Sequence, residues 1–283
     1  MAEFVAALQQ QTFLQYALLT GILASIACGV VGSYVVTRRI TYIAGGIAHS
    51  VLAGLGAARY CQTVFAWTWL DPLYGAVAGA LLSALVIGLV SLWSARQRED
   101  TVIGAVWAIG MAVGILFIFK TPGYNEDLMS YLFGNILMVS PHDLWLIAAL
   151  DTVIVAAAIL FYNQLLAVCF DEEFARLRGV HVEFYYLLLL CLTALTVVLL
   201  VTVVGIVMVI ALLTLPVAVA GHFAKRLWQM MVFSAILTAL LTSFGLFFSY
   251  GPDLPAGATT IVLAGAVYLM VIGVSRFIRL KRA

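Results

Sequence analysis

Thirty-seven consecutive residues, 184 to 220, pass without a single Asp, Glu, Lys, Arg or His. A run of that length has no place in a soluble domain, where about a quarter of residues are charged. A bilayer core about 30 Å thick, by contrast, needs about 20 apolar residues per crossing. The run therefore reads as one very long helix or as two short crossings, near 184 to 202 and 205 to 221. The rest of the chain repeats the pattern, with apolar stretches near 12 to 37, 41 to 60, 72 to 94, 102 to 119, 143 to 168, 229 to 250 and 257 to 276. Of the 283 residues, 65% are hydrophobic and 10% charged. The stretches are continuous rather than alternating in ten-residue segments, which selects helices over a β-barrel. The expected fold is an all-α integral membrane bundle, with 1–283 forming a single transmembrane domain.

The charges decide the number of crossings. With two helices in 184 to 220, Arg38, Arg39, Arg96, Arg98, Arg176, Arg178, Lys225, Arg226, Arg276, Arg279, Lys281 and Arg282 all fall on one side, leaving only Arg59 and Lys120 opposite. The positive-inside rule makes that side cytoplasmic. Nine spans follow, or eight if 184 to 220 is one helix, with the N-terminus outside and the C-terminus in the cytoplasm. The first apolar stretch runs past 20 residues to Arg38 without a basic n-region or a small-residue cleavage site, and so reads as a span rather than a signal peptide. Cys28, Cys61, Cys169 and Cys191 show no CxxC spacing, which disfavours disulfide and zinc-cluster readings. No HExxH, GxSxG or Walker sequence is present, so the chain is expected to be a non-catalytic subunit that cannot hydrolyse ATP itself.

Three segments carry the functional expectation. In Arg38-Arg39-Ile-Thr-Tyr-Ile-Ala-Gly45-Gly46-Ile-Ala-His49-Ser50-Val-Leu-Ala-Gly54, His49 lies ten residues beyond Arg39, about 15 Å along a helix and hence near the midplane. An ionisable group there faces a bundle interior or an ion pathway. The competing reading is a core histidine bonded to a neighbouring helix. Gly45, Gly46, Ser50 and Gly54 are expected to let helices approach closely. Asp151, about 12 Å into the span that begins near Asp143, is a second candidate pathway group, or else a packing aspartate satisfied by hydrogen bonds. The Trp residues, including Trp67, Trp69 and Trp107, are assigned to interface belts or packing.

In the loop Asp171-Glu172-Glu173-Phe174-Ala175-Arg176-Leu177-Arg178-Gly179, Asp171 suits an N-cap, the glutamates the first turn, the arginines the last, and Gly179 the C′ position. A short surface helix is expected near 171–179, with Phe174 and Leu177 on one face able to enter a partner's groove. A plain linker helix fits the same residues. Asp127-Leu-Met-Ser-Tyr-Leu-Phe-Gly134-Asn135-Ile-Leu-Met-Val-Ser-Pro141 is too short to cross, and predicts a re-entrant or interfacial helix near 127–140 on the outer side.

These blocks, together with Val204-Gly-x-x-x-Val-x-Ala-Leu-Leu-x-Leu-Pro216 and Asp253-Leu-Pro-x-Gly-Ala-Thr, resemble the permease subunit of ABC importers for divalent zinc, manganese or iron. The resemblance runs from about residue 14 to 278, with the blocks in family order. It implies a type II importer-like fold in a bacterial or archaeal cytoplasmic (cell inner) membrane. It also implies a homodimer of permeases, two cytoplasmic ABC ATPase subunits and an extracytoplasmic metal-binding protein. No bound cofactor and no nucleic-acid partner are implied. The Asp171 to Gly179 loop matches the family's coupling helix, whose Ala175 position would enter a cleft of the ATPase, and His49 matches a metal-contacting histidine. Where many members carry an aspartate one turn earlier, this chain has Gly45. Loss of that oxygen ligand tilts the expected cargo toward zinc, which imidazole suits well, over manganese or iron. Permeases for siderophores or cobalamin, and secondary metal transporters, share the hydropathy. The former run longer with wider pathways, and the latter need no docking helix.

Overall fold

The computed structural model describes residues 7–93, 99–122, 139–252 and 254–280. Eleven helices follow in order: α1 Thr12–Arg38, α2 Thr41–Val64, α3 Pro72–Trp93, α4 Glu99–Lys120, α5 Pro141–Leu160, α6 Tyr162–Phe170, α7 Glu172–Leu177, α8 Val182–Val204, α9 Ile206–Phe223, α10 Leu227–Tyr250 and α11 Ala256–Leu280. Among the described residues, nine helices are long and apolar enough to cross a membrane. The expected outer helix near 127–140 lies almost wholly outside the described residues, as does Asp253.

The 37-residue apolar run is two helices, and one residue divides them. Gly205 adopts φ 80° and ψ 163°, a region open essentially to glycine alone, so α8 ends at Val204 and α9 begins at Ile206. A second difference concerns the span expected at 143 to 168. It starts two residues earlier, where Ser140 and Asp143 form a reciprocal capping box with Pro141 in the first turn. It is also interrupted at Phe161, which closes α5 and opens α6.

The inside of the bundle is built from α1, α2 and α8, each two thirds buried, while less than a fifth of α4 and α11 is covered by the chain itself. Lipid offers no hydrophobic force between helices, so close packing and internal hydrogen bonds hold them together. Gly32 of α1 lies against the Leu213 carbonyl of α9, where an added Cβ would stand 2.7 Å away. Ser234 Oγ of α10 donates across to the Gly29 carbonyl of α1 at 3.1 Å. Tyr34, fully buried, reaches from α1 to the Ala158 carbonyl of α5 at 3.3 Å.

The closest seam joins α2 to α3 and α4. Gly54 sits so near Gly75 that a Cβ would run into the Gly75 carbonyl, and near Gly79, whose own Cβ would lie 3.1 Å from the Gly54 Cα. On the other side a Cβ at Gly110 would stand 2.6 Å from the Ser50 Cα, and one at Gly56 would stand 2.8 Å from the Gly114 carbonyl oxygen. Only hydrogen in place of a methyl group permits this contact between backbones.

Candidate ion pathway and docking face

α2 carries His49 eight residues from its start at Thr41, about 12 Å deep at 1.5 Å per residue. The imidazole lies flat on the indole of Trp107 from α4, with ring centroids 4.3 Å apart and planes inclined by 11°. Trp107 is fixed in turn, its indole N–H donating to Met111 Sδ at 3.1 Å, with the Tyr42 ring 6.3 Å away. Among the described residues, the buried Nδ1 of His49 has no hydrogen-bond partner. Stacking therefore orients the ring while leaving Nδ1 unengaged. The sequence assigns Trp107 only to an interface belt or packing; its pairing with His49 depends on where α4 crosses α2, 58 residues further along. Trp67 and Trp69, by contrast, stack on each other in an exposed loop.

The other small residues of the segment each face something definite. A Cβ at Gly45 would meet only the end of Ile210 from α9, at 3.2 Å, whereas one at Gly46 would press on Ile103 Cγ2 at 2.7 Å. Ser50 bonds back to the Ile47 carbonyl at 2.8 Å.

Asp151 is 6% exposed, ten residues into α5 and so about 15 Å from its outer end. It lies against α1 at Ala27 and Cys28, and among the described residues its Oδ1 has no hydrogen-bond partner. The two sequence candidates are not brought together as one site. α5 packs on α1 and α8, while α2 packs chiefly on α3 and α4 and also on α8 and α9. Among the described residues, no three His, Cys, Asp or Glu side chains are grouped to hold a metal. Asp151 and His49 stand at similar depth on α5 and α2, both of which pack on α8.

At the cytoplasmic end, α7 is capped at both termini by its own sequence. Asp171 Oδ1 accepts from the Phe174 N–H at 3.0 Å. Past the other end, Gly179 takes φ 77° and donates to the Arg176 carbonyl, while Val180 donates to the Ala175 carbonyl, the paired bonds of a Schellman turn. The helix is tied down by an ion pair between Glu172 and Arg38, the last residue of α1, and by one between Arg176 and Glu183 at 2.7 Å. The Arg178 guanidinium lies 5.2 Å from the Phe174 ring centroid.

Ala175 is 0% exposed, whereas Phe174 is 50% and Leu177 87% exposed. Ala175 is thus the inward anchor of α7, seated against its own chain, and is not the residue offered to a cleft. That correction follows from helical phase, since the outward face is left to Glu173, Phe174, Arg176, Leu177 and Arg178. Beside it opens a groove of about 690 Å³ lined by Phe170, Phe174, Lys225, Arg226 and Trp228 among others.

Nine helices among the described residues long and apolar enough to cross a membrane, unsatisfied polar atoms at mid-depth that include His49 Nδ1 and Asp151 Oδ1, and a capped helix displaying apolar side chains at the basic end define a multi-pass membrane transport subunit. The chain belongs to the ABC 3 transport family, whose model matches residues 10–275. An uncharacterised membrane protein of Synechocystis is 41% identical over 273 residues, covering 95% of this chain and 93% of that protein. The manganese import system permease protein ScaB of Streptococcus parasanguinis is 32% identical over 96% of this chain and 93% of its own length. The solved PsaBC complex of Streptococcus pneumoniae, bound to Fab, superposes with a TM-score of 0.86 at 31% identity, covering 99% of both chains.

Proposed function

We propose that this chain is the membrane permease of an ATP-driven importer of a divalent transition-metal ion. Two copies would work with two cytoplasmic ABC ATPase subunits and an extracytoplasmic metal-binding protein. Family membership supports the transporter class, and the outward residues of α7 support an ATPase as the cytoplasmic partner. The observation that carries the reading is His49, a mid-depth imidazole whose ring is held by stacking and whose Nδ1 is unspent. A nitrogen donor in that state suits a transient ligand for a passing cation. Asp151, buried with a free oxygen, is a second waypoint at similar depth along a different helix pair.

Two ions remain in contention, each with its own support. Manganese is the cargo named for relatives such as ScaB. Zinc is favoured by Gly45, which leaves the turn before His49 without an oxygen ligand. The test is uptake of both ions by the complete complex in vesicles, with His49→Ala as the variant. Loss of uptake with the ATPase still co-purifying supports the reading. Wild-type uptake by His49→Ala removes the histidine from the pathway.

A further inference from the structure

The docking helix α7 is linked to the bundle through one side chain that reaches three helices. Arg38, at the end of α1, forms the ion pair with Glu172 in the first turn of α7. Its guanidinium also stands 5.7 Å from the ring centroid of Tyr186 in α8. Tyr186 in turn donates its hydroxyl to Ser91 Oγ of α3 at 3.3 Å. Immediately after Arg38 the chain turns: Arg39 takes the left-handed conformation at φ 63°, and α2 begins at Thr41. Arg38 therefore sits at the elbow from which the helix carrying His49 departs. The other acidic residue bonded near the loop, Glu183, is taken by Arg176, and Glu173 is exposed.

We propose that Arg38 is the positioning residue through which movement of α7 reaches the α1–α2 elbow, and hence His49. The proposal rests on the reading of the chain as an ATP-driven permease. A guanidinium suits the task because one planar group pairs with a carboxylate while its face lies on an aromatic ring. Both partners of the ion pair are partly shielded, at 20% and 29% exposure, so the contact is less screened than an open surface pair. It is still accessible enough that the fold does not depend on it.

The test uses the full complex of permease, ATPase and metal-binding protein in vesicles, reading ions transported per ATP hydrolysed. Arg38→Met keeps an unbranched apolar stem and removes the guanidinium and its charge; it is expected to retain ATPase association and hydrolysis while lowering that ratio at least tenfold. The exchanged pair Arg38→Glu with Glu172→Arg is expected to recover most of the ratio, which a role for Arg38 independent of Glu172 would not allow. A wild-type ratio in Arg38→Met, or no recovery in an assembled exchange variant, overturns the proposal. Failure of the wild-type complex itself to move metal overturns the functional reading instead, so the two failures are distinguishable.

Discussion

Gly45→Asp is the substitution that bears most directly on which ion passes. The backbone at 45 is ordinary helix, and the new Cβ would meet Ile210 Cδ1 at 3.2 Å and Cγ1 at 3.8 Å. The obstruction is the far end of a flexible side chain, so fitting the Cβ costs a rotamer adjustment of ~0.5–1.5 kcal/mol, and the desolvation of a carboxylate at this buried position is offset only when a cation is bound. The carboxylate then stands one turn from His49 on the same face, with Cβ atoms about 5–6 Å apart. A charge-assisted contact contributes ~1.5–3 kcal/mol, and about 1.4 kcal/mol is a factor of ten. Oxygen ligands favour manganese more than zinc, so the manganese-to-zinc uptake ratio should rise about tenfold. Ile210→Ala in the same chain makes room for the acid and should preserve or enlarge the effect. The assay is simultaneous uptake of both radioactive ions by one vesicle preparation, with the delivering protein held constant. An unchanged ratio in the assembled double variant would refute the argument and leave selectivity to the delivering protein.

The two faces of α7 should separate in their effects. Ala175→Glu places a charge in a fully buried seat and should destabilise the isolated permease by ~3–5 kcal/mol, seen as a lower melting temperature in detergent before any ATPase is added. Leu177→Glu, on the exposed side, should leave that temperature unchanged and abolish co-purification with the ATPase; equal loss of stability in both variants would contradict the assigned helical phase. At the break between α8 and α9, Gly205→Ala forces a side chain into backbone at φ 80° and should cost ~1–3 kcal/mol. A melting temperature equal to wild type would mean that the helix break can shift along the run.

Much of this architecture is written in the chain, because a bilayer punishes charge and unpaired backbone so heavily that spans and loops separate by composition alone. The distribution of basic residues even chose two helices over one for 184 to 220, and Gly205 is the residue that divides them. The caps of α7 were equally readable, since Asp171 and Gly179 act on their own neighbours. What the sequence withheld depends on helix rotation and crossing. Trp107 looked like any belt tryptophan until α4 laid it on His49. Asp151 could not be assigned to α1 rather than α2 from its depth alone, and Ala175 could not be turned inward without knowing where α6 and α8 stand. Apolar helices in lipid are hydrophobic on every face, so the amphipathic stripe that gives rotational phase in soluble proteins is missing.

The glycine seam that binds α2 to α3 and α4 also bears on how such a subunit can move. Where backbones touch without side chains between them, there are no rotamers to rearrange and little slack for one helix to slide on the next. Gly54 against Gly75 and Gly79, with Ser50 against Gly110, should make the three helices travel as one stiff plate that carries His49 and Trp107 together. Opening and closing would then be borne at the plate's edges, such as the bend at Arg39, while the imidazole–indole pair rides unchanged. Damage to the seam should accordingly alter how often the subunit switches, and leave intact how it grips its cargo.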